Sequence, residues 1–278
     1  MTKVLVNGAC GRMGRAVLKA VIDDADLALV GAVDITGGAD SGELAGTAKN
    51  GILVETDLAA ALMRLHPDVM IDFTRPDVVY QNVLTALSHK VSPVVGTTGL
   101  SEEQKAAIKA AAEKNDTPAF IAPNFAIGAV LMMLMSRMAA KYMPEVEIIE
   151  LHHDNKLDAP SGTAVQTAAM IAEVRPAHVQ GHPDEEEKIP GARGAEYEGM
   201  RIHSVRLPGY VAHQEVIFGG LGQTLSIRHD SLNRESFMPG VVLAAKKVRS
   251  LTSLTVGLDK PPDLWAIFSL TRISTSTS

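Results

Sequence analysis

The segment KVLVNGACGRMGRAV, residues 3–17, decides the fold. Its first part, Lys3–Asn7, is a short apolar run that predicts a buried β-strand, and from Arg12 to Asp23 the apolar residues recur at helical spacing. Between them lie three glycines in the spacing G-x-x-G-x-x-G, which let a backbone turn tightly and approach a phosphate at a helix N-terminus. This order predicts the first unit of a doubly wound α/β domain.

Strands and helices continue to alternate as far as residue 121. Further strands are predicted at 27–33, 69–73, 93–95 and 119–121, and further helices at 57–65, 77–90 and 101–114. The last of these helices has Ser101 as its N-cap, and Gln104 completes a capping box. This alternation with short connections predicts a parallel sheet covered by helices on both faces.

The pattern changes in the second half of the chain. A helix near 128–141 precedes a strand at 145–151, a helix from 162 to 174 and a polar loop at 176–200. Three strand-like runs follow at 201–206, 213–218 and 223–229, and a final helix is predicted at 234–249. Consecutive strands without intervening helices predict a mostly antiparallel sheet in a second domain. The end, SLTRISTSTS, residues 269–278, is expected to be frayed or disordered.

Composition narrows the class of protein. The 278 residues suffice for one large domain or for two. Lys+Arg 26 against Asp+Glu 32 gives a net charge of −6 without a basic block, which argues against a nucleic-acid partner but not against small anions. A single cysteine, Cys10, excludes an internal disulfide framework, and no signal peptide or apolar run of about eighteen residues is present. We therefore expect a cytoplasmic protein without a membrane segment.

The glycine loop predicts a dinucleotide site, with Asp34 at the end of the second strand, about twenty residues on, accepting hydrogen bonds from ribose hydroxyls. Three more loops follow the carboxyl ends of strands, where open α/β sheets bind ligands, although each could be an ordinary connection. The candidate cofactor-binding residues are Gly8, Ala9, Cys10, Gly11, Arg12, Met13, Gly14, Asp34, Phe73, Gly96, Thr97, Thr98, Ala122, Pro123, Asn124 and Phe125.

The stretch LHHDNKLDAPSGTA, residues 151–164, allows two interpretations. It could be a polar surface loop before a helix that Ser161 caps. It could instead be a proton-handling site beside an anion site, because Ser161, Gly162 and Thr163 at a helix N-terminus offer backbone N–H groups and a hydroxyl to a carboxylate. His152 and His153 point to opposite faces of a strand end, so one of them could be merely exposed. No metal site is expected, because the spaced Cys/His pattern of a zinc site is absent.

Five motifs resemble those of the dihydrodipicolinate reductases, a family of the diaminopimelate–lysine pathway. They are GACGRMG (8–14), IDFTRP (71–76), VGTTG (95–99), APNF (122–125) and HHDNKLDAPSGT (152–163). The K-x-D-x-P-S-G-T run is specific to the family, and the match extends to about residue 250. The resemblance implies a Rossmann-type dinucleotide-binding domain formed by residues 1–126 and 235–278. It also implies an α+β substrate and tetramerisation domain at 127–234 with an open mixed sheet.

The resemblance also implies a reaction. Hydride from NADH or NADPH would reduce a cyclic imine dicarboxylate, 4-hydroxy-tetrahydrodipicolinate or dihydrodipicolinate, to tetrahydrodipicolinate in a homotetramer. His152 would be the proton donor and acceptor, Lys156 a second proton donor, and the substrate contacts would come from His153, Ser161, Gly162 and Thr163. Two rivals are a non-catalytic NAD(H) sensor, which leaves the His-His-Lys arrangement unexplained, and a related two-domain amino-acid dehydrogenase, which the specific motif disfavours.

The resemblance bears on nucleotide preference as well. Several family members carry an arginine directly after the carboxylate that ends the second strand, where it receives the 2′-phosphate of NADPH. Here Ile35 follows Asp34, so that arginine is absent, although Arg12 remains a possible phosphate partner. We expect both nucleotides to work and NADH to be preferred. The segment beyond residue 250 departs from the ending expected for the family.

Overall fold

The computed structural model describes residues 1–176 and 178–257. Its internal contacts divide the chain into two units, Met1–Phe125 with the segment from Phe237, and Ala126–Ser236. The sequence suggested boundaries at 126/127 and 234/235. The expectation of a frayed end at residues 269–278 lies outside the described residues.

The first unit contains a parallel sheet with helices between its strands. Its elements are β1 (Thr2–Asn7), α1 (Arg12–Asp23), β2 (Leu27–Val33), α2 (Ser41–Leu44), β3 (Val54–Glu55), α3 (Leu58–Leu65), β4 (Val69–Asp72), α4 (Val79–Ser88), β5 (Ser92–Val95), α5 (Glu102–Asn115) and β6 (Ala119–Ile121). The chain returns to this unit with α8 (Met238–Lys247) and β12 (Leu254–Val256).

All seven strands of this sheet run parallel in the order β12-β6-β5-β4-β1-β2-β3. The strands are apolar because both faces are covered, and Val4, Leu5, Val6 and Ile71 are fully buried. The predicted capping box at the start of α5 is present, with Ser101 and Gln104 bonded reciprocally. The expectation of a doubly wound, Rossmann-type sheet is confirmed.

Several short elements escaped prediction. The helix α2 and the strands β3 and β12 have two to four residues each, too few to show a periodicity. The helix predicted at 234–249 is present as α8, but its two ends differ, since Arg234–Phe237 and Val248–Ser250 form 3₁₀ turns. Pro239, which lacks a backbone N–H, stands in the first turn of α8, where no partner for that N–H is needed.

The second unit packs two helices on a five-stranded sheet. Its elements are α6 (Ile127–Ala139), β7 (Glu145–His152), α7 (Gly162–Ala172), β8 (Ala195–Tyr197), β9 (Met200–Arg206), β10 (Ala212–Gly220) and β11 (Gln223–Ser231). The strand order is β11-β10-β7-β9-β8, with β7 and β9 parallel and the other neighbours antiparallel. The mixed sheet implied by the family resemblance is therefore present. The loop predicted at 176–200 contains β8, a three-residue strand, which the polar composition concealed.

The strand β7 lies in the middle of this sheet and has two different faces. Val146, Ile148 and Glu150 alternate on one face and are buried, whereas Glu147 and Ile149 point to the opposite face and are partly exposed. His152, the last residue of β7, shares the face of Glu150. The end of this strand therefore brings polar side chains to the start of the loop that leads into α7.

Candidate active site

The glycine loop joins β1 to α1 in a tight turn. Gly8 has a φ of +85°, and a Cβ on this residue would lie 2.4 Å from the carbonyl oxygen of Phe73. A Cβ on Gly14 would lie 2.0 Å from the carbonyl oxygen of Gly8, so both positions require glycine. The N-cap of α1 is Gly11, and no side chain caps the first turn. The N-terminal N–H groups of α1 therefore fit an external phosphate.

A cavity of about 440 Å³ adjoins the glycine loop. Five of the predicted cofactor residues line it, namely Gly8, Cys10, Gly11, Asp34 and Phe73. Its other walls include residues that the sequence did not suggest, among them Thr36, Thr56, Arg75 and Asn82. The size, the uncapped helix and the carboxylate fit a dinucleotide.

Asp34 and Cys10 are linked to each other in this cavity. Asp34 Oδ2 accepts the backbone N–H of Cys10 at 2.9 Å, which holds the carboxylate against the glycine loop. The Cys10 thiol donates to the carbonyl oxygen of Thr36 at 3.4 Å. Burial raises the pKa of the Cys10 thiol, and the negative charge of Asp34 raises it further, while Arg15 acts in the opposite direction. The Cys10 thiol is therefore less readily ionised than that of a free cysteine.

The other predicted cofactor residues fall into two groups. Ala9, Gly14, Thr97, Ala122 and Phe125 are buried. Phe125 packs against Phe120 and Phe73, with ring centroids 5.9 Å apart in both pairs, so its ring belongs to the core rather than to a ligand surface. The remaining members are exposed or half-buried, namely Arg12, Met13, Gly96, Thr98, Pro123 and Asn124.

A buried carboxylate that the sequence hypotheses missed organises the edge of this sheet. Asp72 is fully buried, and its Oδ2 accepts Nδ2 of Asn7 at 2.8 Å and Nδ2 of Asn82 at 3.0 Å. Its Oδ1 accepts the hydroxyls of Thr74 at 2.7 Å and Thr97 at 2.9 Å. Thr97 therefore points inward, and Asp72 connects the loops that follow β4 and β5.

In the second unit, His152 contacts a buried glutamate. The Nδ1 atom of His152 is bonded to Glu150 Oε2, and the side chain of Glu150 has no exposed surface. Arg206 completes the contact with a bidentate pair, from Nη2 to Glu150 Oε1 at 2.7 Å and from Nη1 to Oε2 at 2.9 Å. Neither Glu150 nor Arg206 was among the predicted site residues.

The charge of Glu150 is secured by its surroundings. Burial by itself would raise the pKa of this carboxyl, but hydrogen bonds from His152, Arg206 and Ser204 outweigh burial and lower the pKa from 4.5 to about 2. Glu150 is therefore ionised at neutral pH and well below it, which places a negative charge beside the ring of His152.

The start of α7 is bound to the same glutamate. The backbone N–H of Ser161 donates to Glu150 Oε1 at 3.2 Å, and the Ser161 hydroxyl accepts the N–H of Ala164 at 3.2 Å. Ser161 is therefore the N-cap of α7, as expected from the sequence, and its role as a substrate contact stays a prediction. Gly162 is the exposed residue at this end of α7, and Thr163 is half-buried.

The loop between β7 and α7 carries the second predicted proton donor. Lys156 Nζ lies 2.6 Å from Asp158 Oδ1, and Lys156 is one-fifth exposed. The hydrogen bond from Lys156 lowers the pKa of the Asp158 carboxyl. The backbone oxygen of Asp158 accepts Nη2 of Arg206 at 2.8 Å, so the loop is fastened to the Glu150–Arg206 pair. His153 is exposed, and its carbonyl oxygen accepts the Lys156 N–H at 3.2 Å.

The described residues contain neither a candidate metal site nor a candidate membrane span. Within residues 1–176 and 178–257, no group of three or more His, Cys, Asp or Glu side chains could hold a metal ion. No helix over the same residues is long and apolar enough to cross a membrane.

Comparisons with known proteins agree on one family. A family model described as "Dihydrodipicolinate reductase, N-terminus" matches residues 2–125, and "Dihydrodipicolinate reductase, C-terminus" matches residues 128–260. A 4-hydroxy-tetrahydrodipicolinate reductase of Desulfitobacterium hafniense is 54% identical over 92% of this chain and 97% of its own length. One from Listeria monocytogenes is 55% identical, covering 92% and 98%.

Solved structures agree with these relatives. The dipicolinate-bound dihydrodipicolinate reductase of Paenisporosarcina sp. TG-14 superimposes with a TM-score of 0.84 at 46% identity, covering 93% of this chain and 98% of that one. An amine dehydrogenase of Mycobacterium smegmatis reaches a TM-score of 0.67 at 16% identity, over 93% and 95% of the two chains. At that identity the second likeness concerns the fold alone.

Proposed function

This chain belongs to the dihydrodipicolinate reductase family, and from that premise we propose how its residues divide the work of the reaction. The enzyme is an oxidoreductase of lysine biosynthesis. Its substrate is the cyclic imine dicarboxylate that leaves the preceding synthase, and its product is tetrahydrodipicolinate. A nicotinamide nucleotide supplies the hydride when it is bound in the first unit.

We assign nucleotide binding to the cavity beside the glycine loop. The uncapped N-terminus of α1 would take the pyrophosphate, because its N–H groups have no side-chain partner there. Asp34, held by the N–H of Cys10, would accept hydrogen bonds from the adenosine ribose.

We assign proton transfer to His152, and the observation that carries this proposal is the buried Glu150. Its carboxylate holds both the His152 ring and the Ser161 N–H, which connects the proton donor with the N-terminus of α7. Gly162 and Thr163 would bind a substrate carboxylate there, since a helix N-terminus favours anions. His153 would contact the same substrate, and Lys156 would stabilise its negative charge and serve as a second proton donor.

We propose that NADH is preferred over NADPH and that both nucleotides work. A 2′-phosphate would face the Asp34 carboxylate, while Ile35, the next residue, is 84% exposed and carries no charge. The opposing cations are Arg12, which is exposed, and Arg75, which lines the cavity but pairs with Asp77 at 2.8 Å. We expect the preference to be about 1–2 kcal/mol, the lower part of what hydrogen bonds to a charged group contribute, which corresponds to about 5- to 30-fold in kcat/KM.

The preference is tested by kcat/KM for both nucleotides at saturating substrate. Ile35→Arg should raise kcat/KM for NADPH, and Arg12→Ala should lower kcat/KM for NADPH more than for NADH. A clear preference of the unmodified enzyme for NADPH would show that attraction of the 2′-phosphate by a cation outweighs its repulsion by the Asp34 carboxylate.

We also propose that the enzyme is a homotetramer assembled through the sheet of the second unit. Support comes from the partly exposed apolar side chains on the face of this sheet opposite Val146 and Ile148, among them Ile149 and Ile217. Sedimentation velocity of the full chain tests the proposal, and a monomer at micromolar concentration would contradict it.

The activity itself is tested by a coupled assay. The product of the preceding synthase is supplied with NADH or NADPH, and the loss of nucleotide absorbance is followed. Oxidation that requires the synthase product is the expected result. Normal cofactor binding with no turnover would favour a nucleotide sensor, and turnover only with a different keto acid would favour an amino-acid dehydrogenase.

A further inference from the structure

Glu150 lies near the end of β7 in the second unit, and its side chain has no exposed surface. Each of its oxygens has more than one donor. Oε2 is shared by His152 Nδ1 and Arg206 Nη1, and Oε1 is shared by Arg206 Nη2 and the N–H of Ser161. One carboxylate therefore touches the proposed proton donor, a cation from a neighbouring strand and the first turn of α7.

Arg206 extends this network to the remaining part of the loop. Besides its pair with Glu150, it donates from Nη2 to the carbonyl oxygen of Asp158 at 2.8 Å, and Asp158 pairs with Lys156. The backbone N–H of Leu207, the next residue, donates to the carbonyl oxygen of His152 at 3.1 Å. The segment between β7 and α7 is thus fastened near both of its ends by Arg206 and its neighbour.

Stability alone is a weak reason for such a network. Replacing a buried ion pair with apolar side chains of similar volume is often neutral or stabilising, because two charges must be taken out of water. An ionised carboxylate has no proton to donate, so it can only accept one from an imidazole nitrogen, which leaves the other nitrogen for the substrate. Because Glu150 contacts Nδ1 of His152, the nitrogen left for the substrate is Nε2.

We propose that Glu150 is a positioning residue for the reaction, which holds His152 with its proton on Nδ1 and so presents Nε2 to the substrate, while Arg206 holds Glu150 in place. The proposal rests on the proposed function of His152. The neutral ring carries its proton on Nδ1, so Nε2 is then the atom that takes up and delivers the catalytic proton. The charged groups that act on this ring are Glu150 and Arg206, with Lys156 and Asp158 next in the network.

The same strand offers a matched control. Glu147 lies on the opposite face of β7 and also pairs with an arginine and a histidine, Arg193 and His203. Glu147→Gln therefore removes the same kind of group from the same strand without touching His152.

The first test compares Glu150→Gln, Glu150→Asp and Glu147→Gln. A glutamine amide can donate to Nδ1 and favour the opposite tautomer, and an error of tautomer of this kind lowers kcat by up to about 10⁴-fold in a serine protease. We expect kcat of Glu150→Gln to fall at least about 100-fold, with NADH affinity unchanged, and Glu150→Asp to recover part of the loss.

Two outcomes of this comparison would overturn the proposal. The first is a kcat of Glu150→Gln close to that of the wild type. The second is an equal loss in Glu147→Gln, since the effect would then not depend on the contact with His152.

The second test needs no change at Glu150, which matters because removing one partner of a buried pair can unfold the chain. Wild-type protein labelled with ¹⁵N-histidine is studied by NMR at a pH at which the ring is neutral, and a His152→Asn sample assigns the resonances. We expect the proton of His152 on Nδ1. A proton on Nε2 would refute the positioning role even if the enzyme turns over normally, and a missing turnover with the proton on Nδ1 would count against the proposed function instead.

Discussion

Two clusters of the same composition lie on the two faces of β7. One joins Glu150 to His152 and Arg206, and the other joins Glu147 to His203 and Arg193. In the first, the side chains of glutamate, histidine and arginine are 0%, 15% and 19% exposed. In the second they are 32%, 25% and 30% exposed. Composition alone therefore does not distinguish them, whereas burial does.

The clusters also differ in what they hold. Among the contacts described, the Glu147 carboxylate binds only side chains, those of Arg193 and His203. Arg193 also binds a second carboxylate, with its Nε 2.6 Å from Glu185 Oε1. The Glu150 cluster instead holds main-chain groups, the N–H of Ser161 and the carbonyl oxygen of Asp158. Ion pairs that are partly exposed to solvent contribute little to stability, so we expect the Glu147 cluster, here called the outer cluster, only to tie a loop to a strand. We propose that the buried Glu150 cluster, the inner cluster, fixes the geometry of the site.

The largest expected effect separates the two histidines. His152→Ala should lower kcat by about 10²–10⁴-fold, because it would remove the proposed general acid and base. His203→Ala should leave kcat within about twofold of the wild type, as a substitution away from the reacting groups does. Steady-state kinetics with NADH measures both. Similar losses in the two variants would remove the functional distinction between the clusters.

A smaller effect is expected at the loop that Arg206 fastens. Lys156→Ala should lower kcat by about 10²-fold, the lower end of the range for a proton-transfer group. Nucleotide affinity should be unchanged, because Lys156 lies outside the first unit. The control is Lys141→Ala, an exposed lysine of the same unit. If Lys156→Ala raised KM only and kept kcat, Lys156 would be a binding residue and not a proton donor.

A third effect concerns substrate affinity at the N-terminus of α7. Thr163→Val keeps the shape of the side chain and removes its hydroxyl. We expect KM for the dicarboxylate to rise about tenfold with little change in kcat, since a hydrogen bond to a charged group contributes about 1–2 kcal/mol. An unchanged KM would exclude Thr163 from the substrate site and leave Gly162 as the anion contact.

The sequence predicted the parts of both units that depend on local pattern. The apolar run at Lys3–Asn7, the three glycines and the periodic helix each carry their own signal, and the structure has them at β1, the turn and α1. The loop after β7 was likewise marked by His152, Lys156 and the Ser161 cap. In these segments the prediction agrees with the structure because the signal lies in residues that are neighbours in the sequence.

The sequence could not predict the partners that converge from distant segments. Arg206 is 56 residues from Glu150, and their contact depends on the parallel pairing of β7 with β9, which no local pattern encodes. Glu150 itself left a weak signal, since it stands two residues before His152 in an apolar strand and so shares its face. Asp72 was hidden in the same way, because Asn7 is 65 residues away in the chain.

The smallest expected effect tests the charge of Glu150 through stability. The pKa of this carboxyl is about 2 in the folded protein and 4.5 in the reference state. Its ionised form therefore stabilises the fold fully above pH 4.5, and this contribution is lost as pH falls towards 2, because the unfolded chain binds a proton that the folded chain does not. In Glu150→Gln that part of the pH dependence is absent.

Urea unfolding at a series of pH values between 6 and 3 should show the difference. The free energy of unfolding of the wild type should fall more steeply below pH 4.5 than that of Glu150→Gln, so that the gap between the two proteins narrows with acidity. For Glu147→Gln the difference in free energy of unfolding from the wild type should narrow less with acidity. Arg193 and His203 also lower the pKa of Glu147, but this carboxylate is more exposed, so solvent screens its interactions. A gap for Glu150→Gln that stays constant down to pH 3 would mean that the Glu150 carboxyl titrates alike in both states. The inner cluster would then hold His152 by shape rather than by charge.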